Sequence, residues 1–421
     1  MIIHDRITTK LIGLDSKILY NQVDIFGKDI LPMREVAVIG IGQTRIDEHW
    51  EKSLRELAGE AALAAMAEAQ VSHVDSIYVG NMLSDISNLQ AHLGSMVADW
   101  IGQRFTDAVK IESACSSGSA AFRAGYLAVA SGEVDVALVV GVEKMTDSPG
   151  SEITAALATA ADADWEAAHG LSFVAINALI MQRYIHQYEW EHADFAPFSI
   201  VAHQNATHNP YARLPFAISS HEYATAKMIA EPINLLDASP IGDGAAALVM
   251  VPADNISSNG RTNGRPLVTI EGSAMATDNI AVHDRLDPLW LTAAEISSKR
   301  AYSQAGLTPK DIDFFELHDA FSIMSALSLE ACGFIERGQG PRLGLDGEIG
   351  ISGRIPIATM GGLKARGHPV GATGVYQIVE VVEQLRGQAG NNQVIDATIG
   401  MAQNIGGSGA AIVTHILKAH K

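Results

Sequence analysis

Two cysteines, Cys115 and Cys332, in a chain of 421 residues are too few for a disulfide framework or a four-cysteine zinc site, and they fit a reducing compartment such as the cytoplasm. Also missing is any uninterrupted apolar run near the ~20 residues a membrane helix requires. Cations are scarce: 29 Lys and Arg against 48 Asp and Glu give a formal charge of −19, the wrong sign for a nucleic-acid binder. An anionic ligand would need a local basic patch. Aromatics are only 6%, whereas apolar residues reach 48% and glycines number 38, so a large core with many tight turns is expected. The expectation is a soluble globular protein of two domains, or two halves sharing one interface, with no nucleic-acid or membrane partner.

Residues 1–33 show neither an arginine-rich amphipathic pattern nor a signal-peptide core, and read as an N-terminal extension. Beyond them, Glu35–Gly42, Asp75–Gly80 and Asp135–Gly141 read as short buried strands, with helical spacing over Ser53–Ala69. Strand and helix alternate, which means α/β. Residues 143–235 are richer in His, Asp, Asn and Pro, with helices expected around Thr154–Ala168 and Asn177–Tyr188, and read as an insertion. Ile241–Val251 is a glycine turn feeding a strand, and Asn255–Pro266 a linker. Leu267–Gly272 then opens a second segment much as Val36–Gly42 opened the first, so the halves look like repeats of one unit. Later strands are expected at Ile312–His318, Asn392–Ile399 and Ala410–His415, with a helix over Phe321–Glu330.

Four clusters carry chemistry. Glu112-Ser-Ala-Cys115-Ser-Ser-Gly-Ser-Ala-Ala-Phe122 puts a thiol where an apolar run gives way to a small-residue helix. There the helix dipole and unpaired N–H groups favour the thiolate, although an inert buried thiol has the same sequence signature. Glu316-Leu-His318-Asp319 closes a strand at the end where α/β sites lie, and a lone histidine in that place is more often structural. Around His368, the run Gly361 to Gly374 holds five glycines and a proline, which implies a tightly turned backbone approached closely by a ligand or another segment. Asn404-Ile-Gly406-Gly407-Ser-Gly409 is a glycine loop whose N–H groups suit an oxyanion, or a plain connection between strands.

In this order the clusters resemble the thiolase family from about Met33 to the C-terminus. The Cys115 stretch resembles the nucleophile motif, Gly367-His368-Pro369 the catalytic histidine motif, and Asp243-Gly-Ala-Ala-Ala-Leu-Val the end of the N-terminal half. Gly141-Val-Glu-Lys-Met145 is similar to the segment after the nucleophile helix and strand. His318-Asp-Ala-Phe321 is similar to the archaeal and sterol-carrier-protein types rather than the degradative type. The resemblance implies two similar βαβ halves, residues 34–258 and 265–421, packed as a five-layered αβαβα sandwich, with 143–235 as an inserted loop domain.

It further implies an acyltransferase that condenses two acetyl-CoA to acetoacetyl-CoA through an acyl-enzyme on Cys115, with His368 and His318 as the catalytic histidines. Gly406, Asp319 and Asn404 would hold oxyanions or support them, and Arg213, Lys227, Lys364 and Arg366 are available for coenzyme A phosphates. No metal and no cofactor beyond coenzyme A thioesters is implied. Implied partners are acetyl-CoA and CoA, further copies in a homodimer or tetramer, and hydroxymethylglutaryl-CoA synthase joined through a small acyl-CoA-binding bridging protein, in lipid metabolism of the mevalonate pathway. Relatives place a second acid/base cysteine at positions that here hold Asn404 or Ala320, and Cys332 lies three helical turns beyond the histidine, so that role stays open between His318 and His368. Other readings are a degradative 3-ketoacyl-CoA thiolase, a decarboxylating ketoacyl synthase using one Cys and two His, and a non-catalytic thiolase-like subunit.

Overall fold

A computed structural model describes residues 33–259 and 264–420; the expected extension, apart from Met33, and residues 260–263 of the expected linker lie outside the described residues. Eleven strands follow one another as β1 (Val36–Gln43), β2 (Ser76–Gly80), β3 (Asp107–Ile111), β4 (Ala137–Glu143), β5 (Met228–Ala230), β6 (Ile233–Asn234), β7 (Gly244–Pro252), β8 (Leu267–Thr277), β9 (Phe314–Glu316), β10 (Ile399–Gly406) and β11 (Ala411–His420). Nine of them form one sheet in the order β3-β2-β4-β7-β1-β8-β11-β10-β9, and β5 and β6 pair separately.

The order contains a repeat. In the first half β1 pairs antiparallel with β7, β7 antiparallel with β4, and β4 parallel with β2. In the second, β8 pairs antiparallel with β11, β11 antiparallel with β10, and β10 parallel with β9. The halves are joined through two residue pairs of β1 and β8, Ala37 with Thr269 and Val38 with Val268. β4 and β7 are buried along their whole lengths, as their unbroken apolar sequences demand of strands covered on both faces.

Helices sit in three layers. On one outside, helix Leu54–Ala69 starts from a reciprocal Ser53–Glu56 capping box and packs Leu57, Ala61 and Ala65 against Val140, Val142 and Val249 of the first half. On the other, helix Thr292–Ala305 and helix Ser322–Ala331 cover the second half. Between the halves, helix Ser117–Ser131 and helix Thr373–Leu385 share a core built from Phe122, Val375 and Val379 with strand residues of both halves. These two can touch only because they meet at glycines: a Cβ on Gly374 would lie 2.4 Å from the Ser119 nitrogen, and one on Gly118 2.9 Å from the Gly371 oxygen. The five-layered α/β sandwich is thus present.

The insertion leaves the half to which its sequence belongs. It joins β4 to β7, yet Met181, Tyr184, Phe195 and Phe198 pack with Phe315, Ile323 and Leu327 of the second half. Several expected elements shift. The helix expected at Thr154–Ala168 is Gly150–Ala158, because Asp162 accepts the backbone N–H groups of Asp164 and Trp165 and so favours a turn over a further helical turn. The second expected helix is longer, Phe173–Tyr188, capped by Ser172. No strand forms at 392–398: Asn392 closes a short 3-10 turn and Asp396 adopts φ 58°, so β10 starts at Ile399 and places Asn404 on a strand rather than in the glycine loop. The expected linker begins as a helix, Asp254–Asn259.

Candidate active site

Cys115 stands two residues before the first turn of helix Ser117–Ser131, after Ala114 at φ 50°. That turn is tied by Ser117 Oγ, which accepts the Ser113 N–H at 2.9 Å and donates to the Ala114 oxygen at 2.6 Å. The thiol reaches a cavity of about 870 Å3 whose lining includes His318, His368, Met145, Phe173 and Phe216. The N–H groups of Gly407 and of Cys115 itself favour the thiolate. Gly406 packs under the nucleophile turn, where a Cβ would fall 2.6 Å from the Ser113 oxygen.

The expectation that the helix start favours a thiolate is overturned. Burial, then the charges of Glu143 and Glu112, push the Cys115 thiol up to about 12 against the two N–H groups, so the resting nucleophile is a neutral thiol that needs a base. His368 can serve as one. A π-helical turn over Gly362–Arg366, entered through Gly361 at φ 105° and left through Gly367 at φ 114°, delivers it to the cavity. Its Nδ1 lies 2.7 Å from Thr373 Oγ1, and that hydroxyl donates to the Pro369 oxygen at 3.1 Å. A hydroxyl has one hydrogen, so Nδ1–H must be the donor and Nε2 keeps its lone pair. Burial, then Arg366, hold this imidazole down at about 3, hence neutral.

His318 has the opposite tautomer. Asn404 Nδ2 lies 2.9 Å from His318 Nδ1, so Nδ1 accepts and Nε2 carries the hydrogen. Burial, then the neighbouring His368 and the cations Arg366 and Lys364, hold His318 well below the usual imidazole range. The rings meet edge to face with centroids 5.1 Å apart. One neutral imidazole thus accepts and its neighbour donates, beside a thiol.

The remaining expected residues separate. Asp319 lies buried behind His318, where it accepts the Leu363 N–H at 2.7 Å and so braces the turn that carries His368; burial raises its carboxyl. Lys364 lines the cavity and donates to the Asp237 oxygen at 2.6 Å, with burial lowering it to about 8. Arg213 lines the cavity while paired to Glu48 and, at 3.5 Å, Asp47. Arg366 is outside the cavity lining: fully buried, it pairs with Glu380 at 2.9 Å and lies over the Tyr376 ring at 5.2 Å. Lys227 is exposed and outside the cavity lining.

Two acids that lie in the motif stretches but carry no expected role organise the site. Glu143, at the end of β4, accepts Asn81 Nδ2, Met82 N–H and Gly371 N–H at 2.9 Å each and Leu83 N–H at 3.1 Å. Burial raises its carboxyl to about 7 despite those donors. Asp243 accepts the Met145 and Thr146 N–H groups at 2.7 and 2.9 Å; burial opposes its ionisation, but these bonds and the Thr146 hydroxyl outweigh it. The available signal was a single acid ending an otherwise apolar strand, as in Ala137–Glu143.

Comparison with known proteins agrees with this fold. Residues 36–254 match the thiolase N-terminal domain and residues 274–419 the thiolase C-terminal domain-like family. An acetyl-CoA acetyltransferase of Methanothermobacter thermautotrophicus is 44% identical over 386 residues, covering 91% of this chain and 99% of that protein. One of Methanocaldococcus jannaschii is 38% identical over 392 residues, again 91% and 99%. A solved structure described as an Ltp2-ChsH2(DUF35) aldolase superposes with a TM-score of 0.78 at 26% identity, covering 91% of this chain and 98% of that one. The chain belongs to the thiolase family.

Proposed function

We propose that this thiolase is an acetyl-CoA C-acetyltransferase that condenses two acetyl-CoA to acetoacetyl-CoA. The observation that carries the reading is the pair of neutral imidazoles with opposed tautomers beside Cys115, a base and a donor in one cavity. His368 Nε2 takes the thiol proton as the sulfur attacks the thioester carbonyl. In this reading the N–H groups of Cys115 and of Gly406 or Gly407 hold the oxyanion, each donor worth about 3 kcal/mol in the transition state. His318 Nε2–H donates to the thioester oxygen of the second acetyl-CoA as its α-carbon loses a proton. Identity of 44% and 38% to acetyl-CoA acetyltransferases supports the acetyl substrate. The test is acetylation of Cys115 by acetyl-CoA, read by mass spectrometry, with thiolysis of acetoacetyl-CoA compared with longer 3-ketoacyl-CoAs. No acetylated Cys115 would end this reading, and preference for long chains would move it to degradation.

Arg213 and Lys364, as the cationic side chains of the cavity lining, are the candidates for anionic parts of the substrate. The protein needs no metal or cofactor in this reading. It would work in the cytoplasm, in the mevalonate pathway, as a homodimer or tetramer, and pass its product to hydroxymethylglutaryl-CoA synthase through a small acyl-CoA-binding protein. The structural neighbour Ltp2-ChsH2(DUF35) aldolase, a protein of two named components, supports a partner of that kind. Sedimentation of the protein alone at micromolar concentration, then with the two candidate partners, tests this; a monomer that binds neither would refute it. Among the described residues no helix is long and apolar enough to cross a membrane.

A further inference from the structure

Condensation requires a second proton transfer, from the α-carbon of the incoming acetyl-CoA, and the cavity offers few groups for it. Cys332 is on the wrong side of a strand: its sulfur lies 3.1 Å from Gln403 Nε2, whereas the next residue, Asn404, faces His318 at 2.9 Å. Consecutive strand residues point to opposite faces. Ala320 has no basic atom. Asp319 and Glu143 are buried outside the cavity lining, held by backbone N–H groups. Lys364 donates to the Asp237 oxygen at 2.6 Å, Glu48 is paired with Arg213, and His203, the other histidine of the lining, is turned to Phe216, whose oxygen lies 3.0 Å from its Nδ1 and whose ring packs on it. His318 Nδ1 is occupied by the Asn404 amide, leaving a hydrogen rather than a lone pair on Nε2.

We infer that His368 alone carries both proton transfers, and that Asn404 makes this possible as a positioning residue that fixes His318 as a hydrogen-bond donor. The inference deepens the acetyl-transfer reading and rests on it. In the first half-reaction the Cys115 proton moves to His368 Nε2, the sulfur–acetyl bond forms, the bond from acetyl to the CoA sulfur breaks, and the proton leaves on CoA as its thiol. His368 Nε2 is then bare again. In the second, Nε2 takes the α-proton while His318 Nε2–H holds the enolate oxygen. The carbanion forms the new carbon–carbon bond at the acetyl carbonyl, the Cys115–carbon bond breaks, and the departing thiolate takes the proton back from His368. Each half-reaction closes with no proton left over.

The two roles separate in α-proton exchange of acetyl-CoA in D2O, which needs no nucleophile. Full-length Cys115→Ala should still exchange, and so should Cys115→Ala with Cys332→Ser. Adding His368→Asn to Cys115→Ala should lower exchange at least ~100-fold. Adding Asn404→Asp should lower it ~100-fold, the typical effect of losing one such donor, because a carboxylate of the same shape accepts from His318 Nδ1–H and strips the hydrogen from Nε2. As a single change, Asn404→Asp should slow acetylation of Cys115 less than ~10-fold, a split between half-reactions that general damage to packing would not produce. Exchange that survives loss of His368 but not of His318 or Lys364 overturns the assignment of the base. Exchange lost in Cys115→Ala itself returns the base to sulfur, and an unaffected Asn404→Asp removes the tautomer role. Failure of the acetyl-transfer reading appears separately, as an unmodified Cys115 in the unaltered enzyme.

Discussion

Glu143 Oε2 accepts the Gly371 N–H at 2.9 Å, tying the end of β4 to the loop that carries His368 across 228 positions of sequence. The end of β4, that loop and Asn81–Leu83 are thereby registered on one carboxyl group.

Glu143→Gln keeps the shape but turns an amide NH2 toward backbone N–H donors, which should cost about 2–4 kcal/mol at pH 5, read by urea unfolding. The sign with pH follows from the raised carboxyl. Its folded value of about 7 lies above the reference 4.5, so its stabilising contribution is full below 4.5 and lost as pH rises through 7. The gap between variant and parent should therefore narrow from pH 5 to pH 8.

Buried His368 and His415, both lowered from 6.5 to about 3, act in the opposite direction. Each stays neutral in the fold while the unfolded chain takes up a proton, so stability present above pH 6.5 is lost as pH falls toward 3. At pH 4.5 each should cost ~2–3 kcal/mol, partly offset by the raised Glu143 and Glu383. Urea midpoints measured from pH 7 to 4.5 should fall, and His415→Gln, which keeps a polar partner for Ser273, should flatten part of that slope.

Arg366→Met should destabilise by about 3–5 kcal/mol, since it leaves Glu380 buried without its cation. Glu380→Gln added to it should recover part of the loss. A rise in KM for acetyl-CoA without loss of stability would instead return Arg366 to substrate binding.

Alkylation of Cys115 by iodoacetamide, measured in a Cys332→Ser background, should rise about tenfold per pH unit through pH 9, because the thiol stays neutral to about 12. A plateau below pH 8 would mean a preformed thiolate.

The α/β plan and the candidates Cys115 and His368 were legible because each depends on local pattern: buried strands as short apolar runs, a cysteine before a small-residue helix, and glycines around His368; His318 entered as a catalytic residue only through the family resemblance. Helix and strand ends were less legible where a side chain competes for the backbone, as Asp162 does by accepting the N–H groups of Asp164 and Trp165.

By itself, then, the sequence determined which groups can do chemistry and the return, at Leu267–Gly272, of the strand pattern that Val36–Gly42 opens, since apolar periodicity is a property of short stretches. The tertiary structure decided what those groups are. Whether Cys115 rests as thiol or thiolate turns on burial and on Glu143, which lies 28 positions away in sequence. Which nitrogen of His318 holds a hydrogen turns on Asn404, 86 positions later. Arg366, beside the histidine motif, belongs to an internal ion pair instead of a coenzyme site because helix Thr373–Leu385 presents Glu380 to it. Protonation and charge pairing are set by through-space neighbours and by loss of water, and neither is encoded in the spacing of residues along the chain.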